Sequence, residues 1–200
     1  MKKNFQQFKT VLQLYIELEN SKPKIWRRIQ VPVDYTFAQL HQVIQKAFGW
    51  EDQHLHLFNL LKLTDHGVEL VQLGVKDNDF DSFALESLDE NEYTLEDQLE
   101  LGMNFEYHYD FGDDWIHDIL VEGVLIQAKK QKYPVCLAGE NNHAFEDIGG
   151  VYGYQHALEV LNNPQHEEYK ELKSWLKECY GAAKINKFDP TFFDPKKIKF

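Results

Sequence analysis

Between Tyr109 and His117 the chain reads Tyr-Asp-Phe-Gly-Asp-Asp-Trp-Ile-His, and upstream Asp52 to His56 reads Asp-Gln-His-Leu-His. These are metal-binding and proton-transfer residue types. Strand side chains alternate, so His54 and His56 are expected on one strand face, where two imidazole nitrogens can hold one ion. His117 lies on a later strand that can approach them. Asp110, Asp113, Glu146 and Asp147 supply oxygens, so a mixed histidine and carboxylate site would suit a divalent transition metal such as zinc, manganese or iron. Water on that ion, with a carboxylate as base, would make a hydrolase or nuclease. A structural reading competes: Asp110 and Asp113 flank Gly112 in a tight turn, where aspartate caps backbone N–H groups well. The three histidines would then be hydrogen-bonded ties between strand ends.

Other chemistries are poorly supported. The serines are Ser21, Ser82, Ser87 and Ser174, none in a nucleophile elbow. Cys136 with His143 lacks an activating context. Gly149, Gly150 and Gly153 match neither a P-loop nor a dinucleotide fingerprint.

The arginines are Arg27 and Arg28, just after Trp26, in a chain whose other basic residues are lysines. A planar guanidinium at this one spot suits recognition. Trp26, Arg28, Trp50, His54, His56 and Trp115 are expected to line a polar-aromatic groove, which makes a binding module without catalysis the first functional reading. Its partner would be an unidentified protein or small molecule.

The elements that position these residues follow from hydrophobic period. Thr10 to Glu19 and Ile25 to Val31 alternate and form a hairpin across Ser21-Lys22-Pro23. Arg27 shares a face with Ile25, Ile29 and Val31, so it needs a carboxylate partner, Asp110 or Glu146. Thr36 caps a helix from Phe37 to Phe48 that Gly49 closes, with His41 beside its apolar stripe on the helix surface. Leu55 to Leu63 and Val68 to Val75 form a second hairpin, and Asn104 to Phe111 with Trp115 to Ile126 a third. Ala128 to Gly150 reads as a long loop. Tyr152 to Leu161 and Glu167 to Tyr180 are helices, the second burying Tyr169, Leu172, Trp175, Leu176 and Cys179. The expected class is α+β: a mostly antiparallel sheet covered by a helix, with a C-terminal helical pair packed alongside. Residues 1–200 form one domain, with an α+β core over 1–127, a loop over 128–150 and a helical part over 151–200.

The formal charge of −12 opposes direct binding of duplex nucleic acid or anionic membrane, except through a local basic patch around Lys22, Lys24, Arg27 and Arg28. The ten carboxylates from Asp77 to Glu100 read as a solvated acidic loop. Two cysteines, no signal peptide and no stretch of about 20 apolar residues point to the cytoplasm.

Several motifs in order resemble the plasmid pRiA4b ORF-3-like family: Ile25-Trp26-Arg27-Arg28-Ile29, Leu40-His41, Gly49-Trp50, His54-Leu55-His56, Tyr109 to Asp113, Trp115, His117, Glu146-Asp147, Gly149-Gly150 and Gly153-Tyr154. The resemblance spans nearly the whole chain and implies a fold more than a function. The family includes plasmid- and transposon-linked members, some labelled resolvase-like, for which this chain offers neither a nucleophilic serine context nor a basic recognition helix. Many members carry three cysteines before the first C-terminal helix. Here those positions are Cys136, His143 and Ile148, and isoleucine cannot ligate a metal.

Overall fold

The computed structural model describes residues 9–76 and 87–200, so residues 77–86 of the acidic run lie outside the described residues. Alternation sets the sheet. In β1 (Thr10–Leu18), Leu12, Leu14, Ile16 and Leu18 are buried, and in β2 (Trp26–Pro32) Arg27, Ile29 and Val31 join them. The two strands pair antiparallel, Leu14 opposite Ile29. β3 (His56–Thr64) pairs with β4 (Gly67–Gly74), and the two-residue β5 (Leu88–Asp89) adds the one parallel pairing among the described residues. β6 (Asn104–Tyr109) and β7 (Trp115–Ile126) form the third hairpin. The result is a mixed α+β fold on an eight-stranded, mostly antiparallel sheet of order β5-β4-β3-β6-β7-β1-β2-β8.

The eighth strand is a correction. β8 (Val135–Glu140) lies inside the segment expected to be a loop and pairs with β2, Trp26 opposite Glu140. It is short, follows Pro134 and contains Gly139, so it carries little periodic signal.

α1 (Phe37–Phe48) begins with a reciprocal capping box between Thr36 and Gln39 and ends at Gly49, whose φ of 73° is left-handed. Phe37 meets Phe58 of β3 edge-on at 5.1 Å, and Phe48 meets His117 of β7 at 4.6 Å. α2 (Leu95–Gln98) is a single turn. α3 (Gly150–Asn162) and α4 (Tyr169–Tyr180) follow β8, then the short α5 (Ala182–Ile185). α4 is less buried than its stripe predicts: Leu176 is buried, whereas Cys179 is exposed. Phe145, buried below α3, receives the rings of Tyr180 at 5.1 Å and Phe188 at 4.6 Å. No helix among the described residues is long and apolar enough to cross a membrane.

Candidate metal centre

β6 ends where Asp110 turns left-handed, at φ 54°. Aspartate tolerates that conformation because its carboxylate can bond nearby backbone. Oδ1 of Asp110 accepts the Gly112 N–H at 3.0 Å, and its carbonyl accepts the Asp114 N–H at 2.7 Å. The carboxylate is thereby locked, with Oδ2 facing His54 Nε2 at 3.6 Å. From the other side Asp147, also left-handed at φ 56°, brings Oδ1 to 3.1 Å from the same nitrogen. His54 Nε2 is sealed from solvent yet makes no well-aligned hydrogen bond, despite that close oxygen. One atom from each of the three residues lies within 4.8 Å of the others. A tetrahedral zinc ion holds nitrogen and oxygen donors about 3.3 Å apart, close to the 3.6 and 3.1 Å that separate His54 Nε2 from the two carboxylate oxygens.

The surroundings fix the loops that carry these three residues. Tyr109 donates to Glu146 Oε1 at 2.6 Å and accepts the Gln53 N–H at 3.0 Å, while Glu146 Oε2 accepts the Glu51 N–H at 3.0 Å. Tyr180 donates to the Glu146 carbonyl at 2.8 Å. Burial raises the Glu146 carboxyl above its ordinary range, opposed by the Tyr109 hydrogen bond, and burial also raises the Tyr109 phenol. Glu146, the residue before Asp147, is therefore anchored, although Asp147 itself is exposed. Asp113 has a different duty from Asp110. Its Oδ2 accepts the Gly149 N–H at 3.0 Å and ties the turn to the start of α3, and it is not among the three residues whose atoms converge.

The three histidines expected to converge are divided. β3 begins at His56, which puts His54 in the preceding bend and aims it elsewhere. His56 is buried, with Nε2 2.7 Å from Glu90 Oε2, and it stacks on His41 at 3.5 Å and 2°. His41 bonds the Tyr107 hydroxyl and Asp52 Oδ1, both at 2.7 Å. It is a buried residue, not a surface one; burial, then His56, lowers its proton affinity. Its spacing of four from Phe37 and three from Ile44 put it on the apolar stripe, a signal the surface expectation overlooked. His41, Asp52 and His56 also bring one atom each within 4.8 Å. Imidazole lone pairs lie in the ring plane, however, and two parallel planes 3.5 Å apart do not meet at one ion. We therefore read this group as a hydrogen-bonded core network. Glu90, part of the acidic run, is buried in it rather than solvated. His117 is fully buried against Phe48 and Trp50, its nitrogens without partners among the described residues.

The expected aromatic groove is also absent from the described surface. Trp50 and Trp115 are core residues 5.4 Å apart. Trp26 and Arg28 lie on the sheet's other face beside Tyr15, and Arg28 pairs bidentately with Glu122 at 2.6 and 2.7 Å. Alternation along β2 separates Arg28 from Arg27, which is buried without the expected carboxylate. Arg27 Nε donates to Ala47 O at 3.0 Å, and one terminal nitrogen donates to Trp26 O and Glu140 O at 2.8 and 2.9 Å. Its guanidinium carbon lies 5.1 Å from the centre of the Phe48 ring and 4.0 Å from that of the Phe193 ring. Ala47 is in the last turn of α1, where carbonyls lack helical donors and the helix dipole favours a cation. Cys136 is buried, its thiol pushed up to about 11, and donates to Ala138 O at 3.5 Å. His143 packs beside Gly49, where a Cβ would come within 2.9 Å of its ring, and burial lowers it to about 4.

The chain matches the family described as plasmid pRiA4b ORF-3-like protein over residues 10–197. It is 32% identical to an uncharacterized protein, y4hQ, from Sinorhizobium fredii, over 88% of this chain and 87% of that one. The fold is similar to the crystal structure of a protein of unknown function, MM3350, from Methanosarcina mazei Go1, with a TM-score of 0.82, 36% identity and coverage of 96% of this chain and 99% of that one. With the match to the family running from β1 to the C-terminal turn, the chain belongs to the plasmid pRiA4b ORF-3-like family.

Proposed function

We propose that this protein is a binding module that holds one divalent transition metal ion through His54, Asp110 and Asp147. The observation that carries this reading is the convergence of one imidazole nitrogen and two carboxylate oxygens, with that nitrogen buried and poorly bonded. One nitrogen and two oxygens suit zinc, manganese or iron(II) more than calcium or magnesium, which favour all-oxygen shells. Three protein ligands leave at least one position for a ligand of the module's partner. Cys136 and Cys179 are both free, which suits the proposed cytoplasmic setting.

The alternative, a metal-dependent hydrolase or nuclease, needs a carboxylate base beside the metal-bound water. Glu146 is the neighbour with raised proton affinity, but hydrogen bonds from Tyr109 and Glu51 occupy both its oxygens. That occupancy favours holding over turnover. The test is elemental analysis of untagged protein purified without chelator, alongside melts with and without EDTA. One transition metal per chain, and a chelator-sensitive melt in wild type but not in His54→Ala, is expected. A metal-free protein whose melt ignores both added metal and chelator would end the proposal.

A further inference from the structure

The outward face of the sheet carries a second feature, built without any residue of the metal centre. On β6 and β7 Glu106 stands directly opposite Asp118, both exposed. Like charges directly opposite on a strand pair destabilise it. Neither carboxylate joins an ion pair among the described residues, and Glu106 accepts a long hydrogen bond from Asn59 Nδ2 at 3.5 Å. Beside them the β3–β4 hairpin presents two cross-strand apolar pairs on the same face, Leu61 opposite Leu70 and Leu63 opposite Val68. These are 64%, 54%, 88% and 67% exposed. A groove of about 360 Å³ joins the two features, lined by Asn59, Leu61, Leu70, Gln72, Glu106 and Asp118.

An unneutralised acid pair next to exposed leucines defines a complementary partner. We propose that this face docks a polypeptide segment carrying a lysine or arginine flanked by apolar side chains. The cation lies over Glu106 and Asp118 and relieves their repulsion, and the apolar flanks cover Leu61, Leu63, Val68 and Leu70. The binding is independent of the metal, so EDTA leaves it unchanged.

The probe is an acetylated, amidated peptide of alternating leucine and lysine, with a leucine–glutamate peptide as control, read by fluorescence anisotropy at physiological salt. Wild type binds the lysine peptide and not the control. The Glu106→Gln/Asp118→Asn variant, and separately Leu61→Ser/Leu70→Ser, weakens binding about tenfold or more. Glu106→Gln/Asp118→Asn keeps or raises the melting temperature, because it removes repulsion, so its loss of binding is not misfolding. Glu167→Gln/Glu171→Gln makes the same change in net charge on the C-terminal helical region and binds as wild type. If that control weakens binding equally, the attraction is only the general charge of −12 and the proposal is overturned. It is overturned too if Glu106→Gln/Asp118→Asn binds undiminished, or if removing residues 1–8, which carry Lys2, Lys3, Phe5 and Phe8, raises the affinity, since the chain's own segment is then the occupant.

Discussion

Asp110 Oδ2 faces His54 Nε2 at 3.6 Å because the other oxygen of Asp110 is held by the Gly112 N–H. One residue's turn chemistry aims its free oxygen at the next residue's ring. Asp113, on the far side of the same glycine, is turned toward α3 instead.

This division of labour predicts opposite phenotypes for two neighbouring aspartates. Asp110→Asn removes a ligand charge and should weaken metal binding about tenfold or more, with a smaller effect on stability. Asp113→Ala removes the acceptor of the Gly149 N–H, costing about 1 kcal/mol, and should leave metal affinity within about twofold. Calorimetric metal titrations paired with urea unfolding separate the two; a reversed pattern would reassign the ligand.

Arg27 carries a less intuitive expectation. Burial pushes its guanidinium down to about 10, so it remains a cation at neutral pH, satisfied by carbonyls on three separate segments. Lysine keeps the buried charge but cannot match the planar donor geometry. Arg27→Lys should therefore destabilise by about 2–4 kcal/mol, at least as much as Arg27→Met, which leaves carbonyls unpaired but buries no charge. Urea midpoints showing lysine as the milder change would contradict the role assigned to the planar fork.

His117 should make the fold acid-sensitive. Burial lowers it to about 3 from an ordinary 6.5, so the unfolded chain takes the proton first. The stabilising difference is whole above pH 6.5 and shrinks as pH falls from there toward 3. At pH 5 the loss is about 2 kcal/mol, from a gap of about 1.5 pH units between 6.5 and 5. Glu146 acts in the opposite direction: its raised carboxyl contributes below its ordinary value near 4.5 and loses that contribution as pH rises. His117→Phe fills the same aromatic surroundings without a titrating group. Its melting temperature relative to wild type should rise more at pH 5 than at pH 7.5, and an equal difference at both would detach His117 from the acid response.

Gly150 links fold to site. Its φ is 66°, and a Cβ there would run into the carbonyl oxygen of Asp113. Gly150→Ala should shift the start of α3, lower stability by about 2–4 kcal/mol and weaken the metal site through Asp147, three residues earlier. Thermal melts and metal titration should move together; unchanged metal affinity in a destabilised variant would show that Asp147 is held independently of α3.

Local rules were legible where neighbours in sequence decide the outcome. Thr36 and Gly49 mark both ends of α1, and alternation assigns the buried faces of β1 and β2. The site was legible only in part. Asp110, Asp147 and His54 stand out as residue types, but grouping His54 with His56 assumed that both lie on one strand, and the chain pairs only from His56, which leaves His54 in a bend. The left-handed turns at Asp52 and Asp110 are allowed by aspartate without being required by it. Arg27 met helix and strand ends that no spacing reveals. Trp115 went to the core because the register of β7, not residue type, decides which rings face water, and Trp50, just after the left-handed Gly49, went there with its Nε1 donating to Ala144 O at 3.1 Å.

The decisive measurement is a titration of manganese or zinc into chelator-treated protein, comparing wild type, His54→Ala and His56→Ala. The account predicts one site per chain in wild type and in a folded His56→Ala variant, and loss of that site in His54→Ala. Binding that survives His54→Ala, or disappears in His56→Ala while that variant stays folded, would contradict it.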